Sequence, residues 1–177
     1  MLKKLFDAAL DLVILACAAL IIGRLFLYTP YVIPSESMEP TLEVDDRLIG
    51  INHVDDVAVG DIVTFTDPDD HAQTLIKRVV AVGGETVDLE RGKLVVNGEE
   101  RDVTEAVGIT WPLTDHAQTL DENVTYPVTV PDGCVFVMGD NRENSADSRF
   151  FGYIPVSSIT SKVIVRYFPL DRFGLID

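Results

Sequence analysis

Two serines one residue apart, Ser35 and Ser37, lie in YVIPSESMEPTLE at residues 31–43, between prolines and directly after the most apolar part of the chain. A hydroxyl is a poor nucleophile until a neighbouring base removes its proton. Histidine is the usual base, but His53, His71 and His116 sit in the polar stretches GINHVDDV, DPDDHAQT and LTDHAQT, with nothing to orient an imidazole. A Ser-His-Asp arrangement is therefore not expected. Lysine can serve instead if desolvation lowers its pKa from about 10.4 towards the working pH. Of the five lysines, Lys3 and Lys4 flank the N-terminal apolar run, Lys93 follows Arg91-Gly92 in a hairpin-turn pattern, and Lys162 precedes VIVRYF. Lys77 differs, because TLI precedes it and VVAV follows Arg78. Taken alone, that pattern also fits a lysine on the polar face of a strand.

A third stretch bears on the choice. MGDNRENSADSRFFGYIP, residues 138–155, is too rich in Asp, Asn, Arg and Ser for a strand. Read blandly, it is a solvated loop with Asx turns. Yet Asp140, Arg142, Asp147 and Arg149 alternate in sign, as a rigid ion-paired loop would, and Ser145 could offer its hydroxyl to a neutral amine.

These residues need elements to position them. From residue 44 on, short β-branched runs punctuated by Gly, Pro and Asp predict strands: RLIGINHV, GDIVTFTD, TLIKRVVAVGG, ETVDLERGKLVVNGEE, YPVTVPDGCVFVMGD and SKVIVRYFPL. The expected fold is mainly β, an antiparallel β-sheet domain behind an N-terminal transmembrane helix. Residues 101–126 are irregular and polar, an insertion and not a second core. The N-terminal apolar run is unbroken only from Leu12 to Gly23, short of the ~20 residues a span needs. Leu5 to Tyr28 reaches that length if Arg24 snorkels and Asp7 and Asp11 lie at the interface. Lys3 and Lys4 then keep the N-terminus cytoplasmic and leave the remainder outside. A cleaved secretory signal at ACA and a lipoprotein signal at ILAC, with Cys17 lipidated, are the competing readings. The run continuing past Cys17 and the interrupting Asp11 argue against both.

The net charge of −15 excludes nucleic acid as an expected partner. Cys17 and Cys134 give no disulfide framework. DHAQTL occurs at residues 70–75 and again at 115–120, without extending into a repeat of structural length. Its His71 and His116 lack the spacing of a metal site, and no metal is expected. Trp111, Phe168 and Phe173 either rest on lipid or pack locally.

With these residues in view, the chain closely resembles the type I signal peptidases, the bacterial membrane-bound leader peptidases. IPSESMEPTL is similar to the family's serine box, GDIVTF to its strand box, IKRVVAVGGE to its lysine box and GDNRENSADSRFFG to its C-terminal box. The resemblance implies that Ser37 is the nucleophile and Lys77 the general base. It further implies that the Ser35 hydroxyl and the Ser37 N–H form the oxyanion hole. Ser145 would orient the lysine amine, Asp147 and Arg149 would be a supporting ion pair, and Asp140 and Arg142 a second structural layer. By analogy Ile33, Pro34, Met38, Leu42, Leu75 and Ile76 would line shallow pockets for small side chains. The implied activity is removal of signal peptides from exported precursor proteins after a small-x-small, Ala-x-Ala site, by a single-pass enzyme of the plasma membrane, bound to the lipid bilayer and needing no cofactor. The implied division is an anchor at residues 1–28 and a catalytic domain at 29–177, with 86–131 a reduced accessory insertion. Gly83-Gly84-Glu85 stands where many members have Pro-Gly-Asp. A self-cleaving Ser/Lys protease of the repressor type shares the dyad logic, but such repressors are soluble and carry DNA-binding segments. An extracytoplasmic binding module is the non-enzymatic alternative, disfavoured by Ser37, Lys77 and Ser145 occurring together.

Overall fold

The computed structural model of the chain describes residues 2–52, 54, 56–68, 70–101, 106–110 and 124–176. His53, Trp111, His116 and the second DHAQTL copy lie outside them. Helix α1 (Leu2–Leu27) runs directly into strand β1 (Tyr28–Val32). Its described side chains include exposed Leu12, Leu15, Leu20 and Ile22. They run without a break only from Ala9 to Gly23. No helix among the described residues is long and apolar enough to cross a membrane, so the transmembrane part of the expectation is not met there.

The strands expected between residues 47 and 100 form β2 (Arg47–Asn52), β3 (Ile62–Thr66), β4 (Thr74–Val82), β5 (Thr86–Glu90), β6 (Lys93–Val96) and β7 (Glu99–Glu100). After them come β8 (Val128–Thr129), β9 (Cys134–Met138), β10 (Ile154–Pro155), β11 (Ile159–Phe168) and β12 (Gly174–Leu175), with the one-turn helix α2 (Ser148–Phe151) between β9 and β10. The large sheet has the order β1-β2-β11-β3-β4-β9-β10, with β12 added to β11, and the small one β7-β6-β5-β8. All their pairings are antiparallel. The protein is mainly β, as the sequence predicts.

The strands not foreseen are β1, β10 and β12. β1 and β10 are the two ends of the large sheet and carry Pro30 and Pro155. Proline removes a ladder donor and is tolerated where one side of a strand has no partner. The same residue that hides a strand from propensity reasoning thus marks it as an edge.

Between residues 86 and 131, β5 to β8 build the small sheet. Among the described residues that sheet has no separate core. Val87, Leu94, Val96 and Val130 pack with Val80, Ala81, Phe136 and Met138 of the large sheet in one cluster. Arg91 and Gly92, both at positive φ (52° and 79°), make the two-residue turn between β5 and β6.

Candidate active site

Strand β4 carries the lysine. Its period of two places Leu75, Lys77 and Val79 on one face, and Leu75 and Val79 pack there with Val63, Phe65 and Val137. The cross-strand partner of Lys77 is Val63. The side chain therefore rises through an apolar face, and Lys77 is only 3% exposed. Burial holds its amine below the ordinary lysine pKa, against the pull of Asp147, Asp67 and Asp140 in the other direction. Lys93 and Lys162 are the contrast, partly exposed and ion-paired to Glu100 and Asp61.

Ser37 sits in a single 3-10 turn, Glu36–Met38. Lys77 Nζ lies 3.0 Å from Ser37 Oγ and donates to the Ile76 carbonyl at 2.9 Å. Ser35 Oγ is 3.4 Å from Ser37 Oγ. The turn is pinned from below by Met38 (1% exposed) and Leu42 (0%), which pack with Ile33, Leu48, Ile62 and Ile76. This corrects the expected pocket. Ile33, Met38 and Leu42 are core residues that hold the turn, with almost no surface for a ligand. Ile76 shows a sliver, at 9% exposed, whereas Pro34 is exposed and Leu75 half-buried.

The 139–149 loop closes the site from the other side. Asn141 N–H donates to the Ser37 carbonyl at 3.1 Å, and its side chain donates to the Glu36 carbonyl at 3.2 Å. Asp147 and Arg149 form the expected ion pair, bidentate at 2.8 and 2.9 Å and fully buried at the side chains. Burial pushes the Asp147 carboxyl up, but Arg149, the Gly139 N–H and nearby Ser145 more than offset it and hold the group below the usual range. Asp140 and Arg142 are both buried, but they do not pair with each other. Asp140 instead accepts from Arg78 Nε (2.9 Å) and Nη2 (2.8 Å) and from the Thr41 hydroxyl (2.6 Å). The alternating signs concealed a partner 62 residues away. Arg142 donates through Nη1 to Thr110 Oγ1 at 3.2 Å and to Met138 Sδ.

Ser145 is adjacent to the site. Its Oγ is buried without a hydrogen-bond partner, and the partners of the lysine amine are Ser37 and Ile76. A Cβ built on Gly139 would strike both Ser145 Oγ and the Ser37 carbonyl oxygen. Gly139→Ala is therefore expected to move the nucleophile turn and lower activity by roughly 10²-fold, the scale a 1 Å misplacement carries. Steady-state kinetics beside a thermal melt would separate this from unfolding.

Sequence reasoning missed Arg78, Thr41, Asn141 and Asp46. Asp46 is 1% exposed, accepts from the Glu43 N–H and meets Arg166 and Arg172, so it secures the segment after Ser37 to the end of β11. Arg78, the neighbour of Lys77, was the legible one: a second cation inside an apolar strand requires a buried acid.

A serine hydroxyl beside a desolvated amine, on an antiparallel β scaffold, has the parts of a serine-type acyl-transfer enzyme. Residues 6–168 match the family described as signal peptidase, peptidase S26. The chain is 36% identical to a probable signal peptidase I-1 of Synechocystis over 93% of its own length and 84% of the relative's. It is 37% identical to a signal peptidase I of Bacillus caldolyticus, over 85% of each chain. With one of Leptolyngbya laminosa it shares 36% identity, over 85% of this chain and 74% of the other. The chain belongs to the signal peptidase family, peptidase S26, and is a peptidase.

Proposed function

We propose that the protein is a membrane-anchored serine endopeptidase that removes signal peptides from exported precursors after an Ala-x-Ala site, with Ser37 as nucleophile and Lys77 as general base. The observation that carries the reading is the 3.0 Å approach of Lys77 Nζ to Ser37 Oγ, with Lys77 only 3% exposed. A neutral amine donates to the Ile76 carbonyl and turns its lone pair to the Ser37 hydroxyl. As Oγ attacks the scissile carbonyl carbon, its proton passes to Nζ. The Ser35 hydroxyl and the Ser37 N–H receive the developing oxyanion. The ammonium returns the proton to the leaving amine, and the C–N bond breaks to give an acyl-enzyme. Lys77 then takes a proton from water, whose oxygen attacks the ester, and the ammonium gives that proton to Ser37 Oγ as the ester C–O bond breaks and the acid product leaves. Asp147–Arg149 and Asp140–Arg78 position this apparatus, Ser145 supports it from beside Gly139, and Arg142 belongs to the surrounding layer. Pro34, Leu75 and the exposed edge of Ile76 supply shallow apolar surface for small side chains, over a floor of Ile33, Met38 and Leu42.

The anchor is α1, 26 residues of helix. At 1.5 Å per residue this is about 39 Å, which exceeds a ~30 Å hydrocarbon layer in length, and it is the apolar run of the described residues that falls short. Residues 1–28 then form the cytoplasmic flank and anchor, and 29–177 the extracytoplasmic catalytic domain. Phe168 packs locally under the Arg47 guanidinium, 5.1 Å from its ring centroid, and Phe173, 64% exposed, is the aromatic that would meet a lipid surface. Anchoring confines the nucleophile to the plane where precursor cleavage sites emerge and raises its effective concentration there.

The test is cleavage of a model precursor ending its signal in Ala-x-Ala by the purified chain, with the product's new N-terminus sequenced and Ser37→Ala as the blank. Cleavage elsewhere, or cleavage surviving in the blank, would refute the assignment. The rate is also expected to fall as acid protonates Lys77. The fold shows the same sign. The folded-state pKa of Lys77 lies below the ordinary lysine value of about 10.4, so between those two pKa values the unfolded chain binds the extra proton and stability rises with pH. Below the folded-state pKa the full cost of the buried ammonium remains. Melting curves of wild type and Lys77→Met across the alkaline range would show the dependence in the former and not in the latter.

A further inference from the structure

Three guanidinium groups and two carboxylates are buried together behind the nucleophile turn: Arg78, Arg142, Arg149, Asp140 and Asp147. Asp140 is committed to Arg78, and Asp147 to Arg149. Among the described residues one positive charge is left over, and it belongs to Arg142. This residue is 3% exposed and its Nε has no hydrogen-bond partner. Its other contacts are to a hydroxyl and a thioether, neither charged. Burial pulls its pKa down, the direction expected of a cation short of a counter-ion. An uncompensated buried charge is costly, and proteins pair such groups.

Arg142 lines a pocket of about 130 Å³ between the small sheet and the 106–110 segment, with Arg101, Lys93, Glu100, Thr110 and Ala106. Lys93 is neutralised by Glu100, and Arg101 by Glu85, so the surplus charge of the pocket is that of Arg142. That volume is enough for one small oxyanion. We infer that this pocket is an anion site for a phosphate group, which supplies the counter-charge that the buried cluster lacks. The site is coupled to the nucleophile turn through the chain. Arg149 Nη1 donates to the Arg142 carbonyl at 2.7 Å, and Asn141, the preceding residue, donates to the Ser37 carbonyl. The 106–110 segment joins the same loop, since Val107 N–H donates to the Asp140 carbonyl and Arg142 N–H to the Val107 carbonyl. An occupied pocket would brace the small sheet against the loop that holds Ser37.

The test uses the full chain in non-ionic detergent and reads thermal stability, so it stands whether or not the catalytic assignment does. Inorganic phosphate, titrated at constant ionic strength, should raise Tm saturably, by about 5–10 °C at a hundred-fold excess over Kd. Arg142→Gln should abolish the response. Should that variant not fold, Ala106→Leu fills the pocket from a half-buried position, leaves the charges in place, and should abolish it too. Mixed micelles with phosphatidylglycerol in phosphate-free buffer separate the sources. A rise with phosphate alone identifies a soluble anion, and a further rise with the lipid that Ala106→Leu removes admits a headgroup. The inference is overturned by no rise with phosphate, or by an equal rise in wild type and both variants.

Discussion

Lys77→Met is expected to lower kcat/KM on a precursor by at least about 10³-fold, some 4 kcal/mol in the barrier, while leaving the protein folded. Removing the proton acceptor of a nucleophile disables the pair as a unit, so Ser37→Ala and the double variant should fall to a similar floor. The usual ambiguity, that a dead variant is merely unfolded, is absent here. The Lys77 amine is desolvated between Leu75, Val79 and Val63, so an apolar chain of similar length removes a cost instead of a support. Tm should hold or rise. A Lys77→Met enzyme that still cleaved would show that the base lies elsewhere.

Asp147→Asn is expected to have the largest effect on stability. It leaves Arg149, 5% exposed, without its counter-charge in the interior. Breaking such a pair from one side costs about 3–5 kcal/mol, which for a chain of this size is a fall in Tm of roughly 6–20 °C. The pH dependence has a definite sign. The folded-state pKa of Asp147 lies below the ordinary aspartate value of about 3.9. Its stabilising contribution is therefore complete above that unfolded-state value and is lost as pH falls through the folded one. Wild type should lose stability in strong acid more steeply than Asp147→Asn. Equal Tm in the two proteins at neutral pH would refute the claim.

Much of this was legible in the sequence because the chemistry imposes local contradictions. A lysine inside TLIKRVVAV and paired hydroxyls between prolines are expensive unless used. The strand set was legible for the same reason: β-branched runs and Gly-Pro-Asp breaks are short-range signals. What required coordinates was long-range pairing. The alternating signs suggest pairing within the loop, but side chains two apart in a folded loop need not face one another. Arg78 reaches Asp140 only because β4 and β9 are neighbours, with Arg78 opposite Met138. The pocket expectation failed over burial. Met38 and Leu42 are apolar and near Ser37, and proximity in sequence does not distinguish a surface that greets a ligand from the packing underneath it. The edge strands β1 and β10 failed on propensity, which counts proline against a strand and knows nothing of edges.

The merging of both sheets around Val80, Ala81, Phe136 and Met138 bears on how this enzyme could be pared down. Evolution or an engineer might regard the segment from Thr86 to Val130 as ornament, to be cut for a leaner catalyst. Excision would strip one wall from an interior that also backs Lys77's strand, and bare aromatic and thioether side chains to water. Any shorter descendant must first repaint that wall with polar residues.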